Sequence, residues 1–244
     1  MEQKEILQNI ETIRQRIRSA ERAAGRREGE VLLLAATKTV SAEDINFAVC
    51  KGGITDIGEN RVQELLSKYD ALERDKMRIH FIGTLQTNKV KYIIDKVDLI
   101  HSVDSLKLAR EIDKRARAIG KVQDVLLEYN SGGEENKSGF SEQKLYEELP
   151  EIMALPNLRV CGIMTIAPKC KENTEYCKFF TKTYQIFIDI SQKNTHNSNV
   201  SVLSMGMSDS YESAISCGAT VIRVGSAIFG ARHYPESKNE KQEG

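Results

Sequence analysis

The chain has 244 residues, 40% hydrophobic and 29% charged, the balance of a globular domain rather than of a disordered or fibrous chain. Lysine plus arginine and aspartate plus glutamate both number 35, giving zero formal net charge, so no bulk attraction to nucleic acid or to an anionic membrane is expected. The longest apolar runs, such as 31–36, are far shorter than a bilayer span, and the polar start from Glu2 is not a secretory signal. A cytoplasmic protein is expected.

Residues 1–24 carry Ile6, Ile10, Ile13 and Ile17 at spacings of three and four on a charged background, which predicts a helix stopped by Gly25. A regular alternation follows. Apolar runs at 31–37, 55–58, 79–83, 99–103, 124–129, 160–166, 200–205 and 221–224 read as buried strands. Between them, segments of helical period lie at 42–49, 61–72, 88–95, 105–119, 141–153, 175–191 and 208–216. Ser41 with Asp44, and Ser105 ahead of a long amphipathic run, are start signals.

Eight strands with a helix in each of seven gaps predict a parallel sheet. An open doubly wound sheet gives the same alternation, but no G-x-G-x-x-G follows the first strand. The eightfold count favours an α/β fold made of a single (β/α)8 barrel over residues 1–234, the N-terminal helix filling the ring position left after the eighth strand. Residues 235–244 are too polar to build a core, and a disordered tail is expected there.

Cys50, Cys161, Cys170, Cys177 and Cys217 are odd in number and scattered, with no C-x-x-C pair, which is neither a disulfide framework nor a zinc site. His80, His101, His196 and His233 do not cluster with them, so no structural metal is expected. Cys50 and Cys217 lie just ahead of glycines at expected helix ends, and read as small buried apolar side chains.

In a closed parallel barrel the active face lies at the C-terminal ends of the strands. The first strand ends at Lys38 in AATKT. Taken alone, Lys38 reads more readily as a lysine snorkelling out of the barrel mouth. A lysine partly desolvated behind a buried strand is nonetheless a competent nucleophile toward an aldehyde. The second strand ends in Gly58, Glu59 and Asn60, and Asn60 supplies a donor and an acceptor at the mouth. Gly83 permits either a βα turn or close approach of backbone to a ligand. His80 reads as a hydrogen-bonded core histidine. After the seventh strand, SMGMSDS opens a helix with Ser208 placed as N-cap and Asp209 in the first turn. RVGSAIFG ends the eighth strand. The loops after strands seven and eight are a recurrent phosphate site in barrels. Backbone N–H groups of Gly225 and Ser226, with the Ser208 and Ser226 hydroxyls, suit a phosphate dianion. A nucleophilic lysine facing such a cradle points to a phosphorylated aldehyde cofactor.

The segments AATKT, GENRVQELLSKY, IHFIGTLQTNK, GEENKSGF, GIMTIAP, LSMGMSDSYESAI and RVGSAIFGARHY, in this order from about residue 31 to 234, together resemble the pyridoxal 5'-phosphate (PLP) homeostasis proteins of the YggS/PROSC group. That group is similar to a free-standing barrel domain of alanine racemase, of the fold-type III PLP proteins. The resemblance implies that Lys38 carries the cofactor as an internal aldimine, that Asn60 lies beside it, and that Met164 lines the pocket. It further implies that Ser208, Gly225 and Ser226 hold the phosphate, that Met205 and Gly206 bring the backbone into range, and that Arg223 faces the pyridine nitrogen. An arginine there keeps that nitrogen unprotonated and the ring a weak electron sink. The loop 132–140 receives no role.

A monomeric PLP carrier or regulator, with apo PLP enzymes as acceptors of the cofactor, is the expected function. A PLP-dependent amino-acid racemase is the alternative, and a Schiff-base aldolase acting on a phosphorylated sugar is a third. Racemisation needs acid and base on opposite faces of the substrate carbon. With no second-domain tyrosine opposite Lys38, a non-enzymatic role is expected.

Overall fold

The computed structural model describes residues 2–134, 137–193 and 198–230. The polar tail 235–244, His196 and His233 lie outside the described residues. The chain alternates as α1 (Gln3–Ala23), β1 (Leu32–Ala36), α2 (Ala42–Cys50), β2 (Asp56–Glu59), α3 (Val62–Lys68), β3 (Arg78–Phe81), α4 (Val90–Ile93), β4 (Leu99–Val103) and α5 (Leu106–Ala118). It continues as β5 (Gln123–Tyr129), α6 (Glu142–Met153), β6 (Leu158–Thr165), α7 (Asn173–Ser191), β7 (Ser198–Ser204), α8 (Tyr211–Ser216), β8 (Val221–Val224) and α9 (Ser226–Phe229). Strands pair in parallel with their sequence neighbours, and β8 returns to β1 with Leu32 opposite Val221 and Leu34 opposite Arg223. The barrel is closed, so neither edge is left unpaired.

The main apolar core lies between the strands and the surrounding helices, and smaller clusters fill the barrel interior, one around Leu34, Ile82 and Val221, another around Leu99, Leu126, Cys161 and Met164. Period-two alternation produces both layers from the same strands. Helix α1 buries Ile6, Ile10, Ile13 and Ile17 and packs against α8 and α9, the expected ring position. Asn9 Nδ2 donates to Ile228 O at 3.0 Å across that seam. Buried Glu21 accepts from the N–H groups of Gly29 and Val31 at 3.0 and 2.8 Å, fixing the entry to β1. Ser41 and Ser105 accept from the backbone N–H groups of Asp44 and Leu108, as their spacing predicts.

Several local expectations are corrected. The helix placed at 208–216 begins only at Tyr211, with Ser210 rather than Ser208 at its N-cap position. The segment 61–72 is helical to Lys68 and then tightens into a 3-10 turn over Tyr69–Ala71. The segment 88–95 is a 3-10 turn, Thr87–Lys89, running into a single α turn. The short α9 was not anticipated. Cys50 is exposed, not buried, because it sits at the solvent side of the last turn of α2. Among the described residues no helix is long and apolar enough to cross a membrane.

Gly83 is required by protein backbone rather than by a ligand. A Cβ there would lie 2.1 Å from Asn60 O and 2.7 Å from Asn60 Cα, an overlap that only backbone movement could relieve. Gly83→Ala is therefore expected to lower stability by about 1–3 kcal/mol and to displace Asn60. Chemical denaturation checks the first effect, and an unchanged midpoint would show that the two segments separate freely.

Candidate functional site

A cavity of about 370 Å³ opens at the C-terminal ends of the strands. Its wall is built from residues one to four places beyond each strand: Lys38 after β1, Asn60 after β2, Ser208 after β7, Gly225 and Ser226 after β8, with Arg223 rising from within β8. Six of the nine expected site residues thus meet in one place, although they are up to 188 positions apart (38 to 226). The other three do not line it. Met164 is buried in the barrel interior with Leu99 and Leu126, and Met205 is wholly buried in the main core. Gly206 lines an adjoining cavity that shares Arg223 with the first, and its carbonyl accepts from Arg223 N at 3.0 Å.

The late start of α8 matters here. Because Ser208 does not cap the helix, its hydroxyl is available to the cavity, and Ser226 Oγ donates to Ser208 Oγ at 3.2 Å. The two loops after β7 and β8 are thereby joined at a pair of hydroxyls. Gly225 lets this corner lie close against the end of β1, since a Cβ there would lie 2.9 Å from Ala36 O and 3.3 Å from Ala36 Cβ. Two carboxylates also reach the wall, Asp44 and Asp209. Asp44 is engaged by the Ser41 hydroxyl at 2.9 Å. Asn60 has a buried side-chain oxygen with no hydrogen-bond partner, an acceptor available to a ligand O–H or N–H.

Arg223 anchors the floor. It is 4% exposed, and burial pulls its pKa down to about 10, with the Glu128 carboxylate acting against that fall. It remains a cation at neutral pH. Nη1 donates to Ser204 Oγ at 2.6 Å and Nη2 to Thr165 O at 2.8 Å. Ser204 Oγ lies 3.0 Å from His101 Nδ1, His101 Nε2 lies 2.9 Å from His80 Nδ1, and His80 Nε2 lies 2.8 Å from Asp56 Oδ1. The bond to His80 helps hold the Asp56 carboxyl below its ordinary pKa against its own burial. Burial, then the charges of His80 and Arg223, drive His101 well below the usual histidine range, so it is neutral.

Ionised Asp56 can only accept, so His80 Nε2 carries hydrogen. Neutral His101 carries one ring hydrogen, so one of its ring nitrogens donates and the other accepts. Arg223 donates to Ser204 Oγ, and Ser204, His101 and His80 follow in series. A continuous chain of hydrogen bonds thus runs from Arg223 through the barrel interior to Asp56. His80 is the hydrogen-bonded core histidine expected from its position. Asp56, His101 and Ser204 were not singled out by sequence. Each is a polar residue on the inward face of a strand, and that alternation is the signal that could have found them.

The family model for the alanine racemase N-terminal domain matches residues 7–233. A pyridoxal phosphate homeostasis protein of Aquifex aeolicus is 44% identical over 228 residues, 93% of this chain and 98% of that protein. The one from Escherichia coli K12 is 35% identical, covering 94% and 98%. The chain belongs to the pyridoxal phosphate homeostasis protein family. Among solved structures, PipY of Synechococcus elongatus with PLP bound matches this family member with a TM-score of 0.80 and 29% identity, over 92% of this chain and all of that one. An alanine racemase of Clostridium difficile shares the fold, at TM-score 0.69 and 18% identity, and this chain spans 57% of its length.

The neutral His101 has a consequence for stability. Once unfolded it binds a proton near its ordinary pKa of about 6.5, whereas folded it does so only at lower pH. Between those values the unfolded state holds more protons, so stability falls as pH drops below about 6.5, by at most about 1.4 kcal/mol per pH unit for one proton. His101→Gln is expected to flatten that part of the profile of melting temperature between pH 7 and 5. An equal slope in the two proteins would place the titration elsewhere.

Proposed function

We propose that this protein binds PLP in the cavity at the strand ends, attached as a Schiff base through Lys38, and serves as a carrier of the cofactor rather than as a metabolic enzyme. The observation that carries the reading is the placement of Lys38, the Ser208–Ser226 hydroxyl pair and the Arg223 guanidinium on one wall. The family membership supports it. The residues present fit the group. A hydroxyl pair with adjoining backbone N–H groups suits a phosphate, the open acceptor on Asn60 suits a ring substituent, and Arg223 can donate to a pyridine nitrogen.

When bound, PLP supplies an electron-withdrawing ring reached through an aldehyde carbon. The chain's own contribution is to bind and to moderate. Lys38 provides the amine. Ser208 and Ser226 orient the phosphate. Arg223 is a donor that does not give up its proton near neutral pH, so it leaves the pyridine nitrogen unprotonated and the ring a poor acceptor of carbanion charge. Two of its five donors are already committed to Ser204 and Thr165, which fixes its plane. A cavity open at the mouth and a muted ring favour loading and release over turnover, with apo PLP enzymes as acceptors. The racemase reading keeps the same pocket but needs a second acid–base group, worth typically about 10²–10⁴-fold.

Loaded protein treated with borohydride should gain one PLP-derived mass on the peptide containing Lys38. The same preparation should reactivate an apo PLP enzyme while showing no sustained racemase, decarboxylase or transaminase turnover on common amino acids. Robust turnover abolished by Lys38→Ala would replace the carrier by the enzyme.

Removing both Ser208 and Ser226 hydroxyls by alanine substitution should weaken PLP retention with the barrel still folded. Each hydrogen bond to a charged phosphate is worth about 1.5–3 kcal/mol, offset in part by neighbouring amides. Equal retention by the double variant and the parent would move the phosphate to another loop.

A further inference from the structure

The backbone on both sides of Lys38 is tied to three side chains of the β2–α3 segment. Thr37 is wholly buried. Its N–H donates to Gly58 O at 2.9 Å, and its hydroxyl donates to the Glu59 carboxylate. Thr39 has φ 64°, the positive φ of a non-glycine residue among those described, a conformation a β-branched residue keeps only under constraint. Its N–H donates to the Glu64 carboxylate. Lys68 Nζ donates to Thr37 O at 2.9 Å and Val40 O at 3.1 Å, and lies 2.8 Å from Glu59 Oε1 and 3.2 Å from Glu64 Oε1. One ammonium and two carboxylates therefore grip residues 37, 39 and 40, leaving the residue between them, Lys38, on the cavity wall.

The arrangement is a costly way to stabilise a fold. Glu59 is fully buried and Lys68 is 8% exposed. Burial drives the Glu59 carboxyl above its ordinary pKa against the pull of Lys68, and its second oxygen has no partner. Buried ion pairs of this kind contribute little net stability compared with apolar packing, while removal of one partner is costly. What this one does is hold a strained turn in a single conformation. We propose that Glu59, Glu64 and Lys68 are positioning residues that fix the 37–40 turn, so that Lys38 Nζ is presented for covalent capture of the cofactor aldehyde. The inference rests on the proposed attachment of PLP to Lys38. Capture joins the neutral Lys38 amine to the aldehyde carbon as C=N. The aldehyde oxygen leaves as one water with both amine hydrogens, and no oxidant or reductant is needed.

The test uses apo protein and two ligands, PLP and deoxypyridoxine 5'-phosphate, which keeps the ring and phosphate but has no aldehyde. In Lys68→Met and in Glu64→Gln, the rate of attachment at saturating PLP, followed by absorbance and by borohydride-trapped mass on the Lys38 peptide, should fall at least tenfold. Affinity for deoxypyridoxine 5'-phosphate should stay within about twofold of the parent. A purely structural pair would lower the melting temperature and leave attachment at saturation unchanged, and that result overturns the proposal. Parallel loss of both ligands also overturns it, because the pocket rather than the lysine would then be disturbed. If Lys68→Met does not fold, Glu64→Gln decides alone, its side chain being 20% exposed. Absence of any Lys38 adduct in the parent would instead bring down the attachment itself.

Discussion

Arg223 is a cation withdrawn from water, and the polar interior of the barrel is organised around that fact. Moving a charge out of water costs several kcal/mol even after relaxation, and burial lowers the guanidinium pKa without discharging it. The Glu128 carboxylate opposes that fall, and a second carboxylate, Asp56, is linked to Arg223 without lying beside it. Asp56 and Arg223 flank Leu34 of β1 in register, and that buried leucine separates them by the short way round. The connection runs the other way, through His80 and His101 on β3 and β4 and across the barrel to Ser204 on β7. The opposite charges are thus linked through a series of hydrogen bonds rather than by contact.

This chain has a direct consequence for the cavity above it. An arginine held by Ser204 and Thr165 O has little rotational freedom, so its remaining donors point in a set direction. Rigid support of that kind is what a binding group needs to act the same way in every molecule. The shared barrel of the distantly related alanine racemase shows the fold alone. What a barrel does with its mouth depends on the groups set there.

The mouth itself is assembled by two different devices. On the β7 and β8 side, α8 begins three residues later than Ser208, which releases that hydroxyl to pair with Ser226. On the β1 side, the turn after the strand is held by Glu59, Glu64 and Lys68, at the expense of burying charge. Gly83 against Asn60 and Gly225 against Ala36 bring neighbouring strand ends closer than a side chain would allow.

The sequence by itself determined the order and kind of the elements. The apolar runs of strand length, the isoleucine spacing of α1, and the Ser41 and Ser105 caps act within a few residues, so local pattern carries them. Counting eight such strands was enough to place Lys38, Asn60, Ser208, Arg223, Gly225 and Ser226 at one end of one barrel. What only the tertiary structure decided is which residues meet at a given level of the interior. Alternation tells inward from outward, but not the register at which a closed barrel joins its strands. His101 and Ser204 are 103 positions apart, and nothing local marks them as partners. For the same reason Met164 falls beneath the cavity, Gly83 meets Asn60 instead of a ligand, and Lys68, a charge on a short helix in the sequence, becomes a buried tie across the turn that carries Lys38.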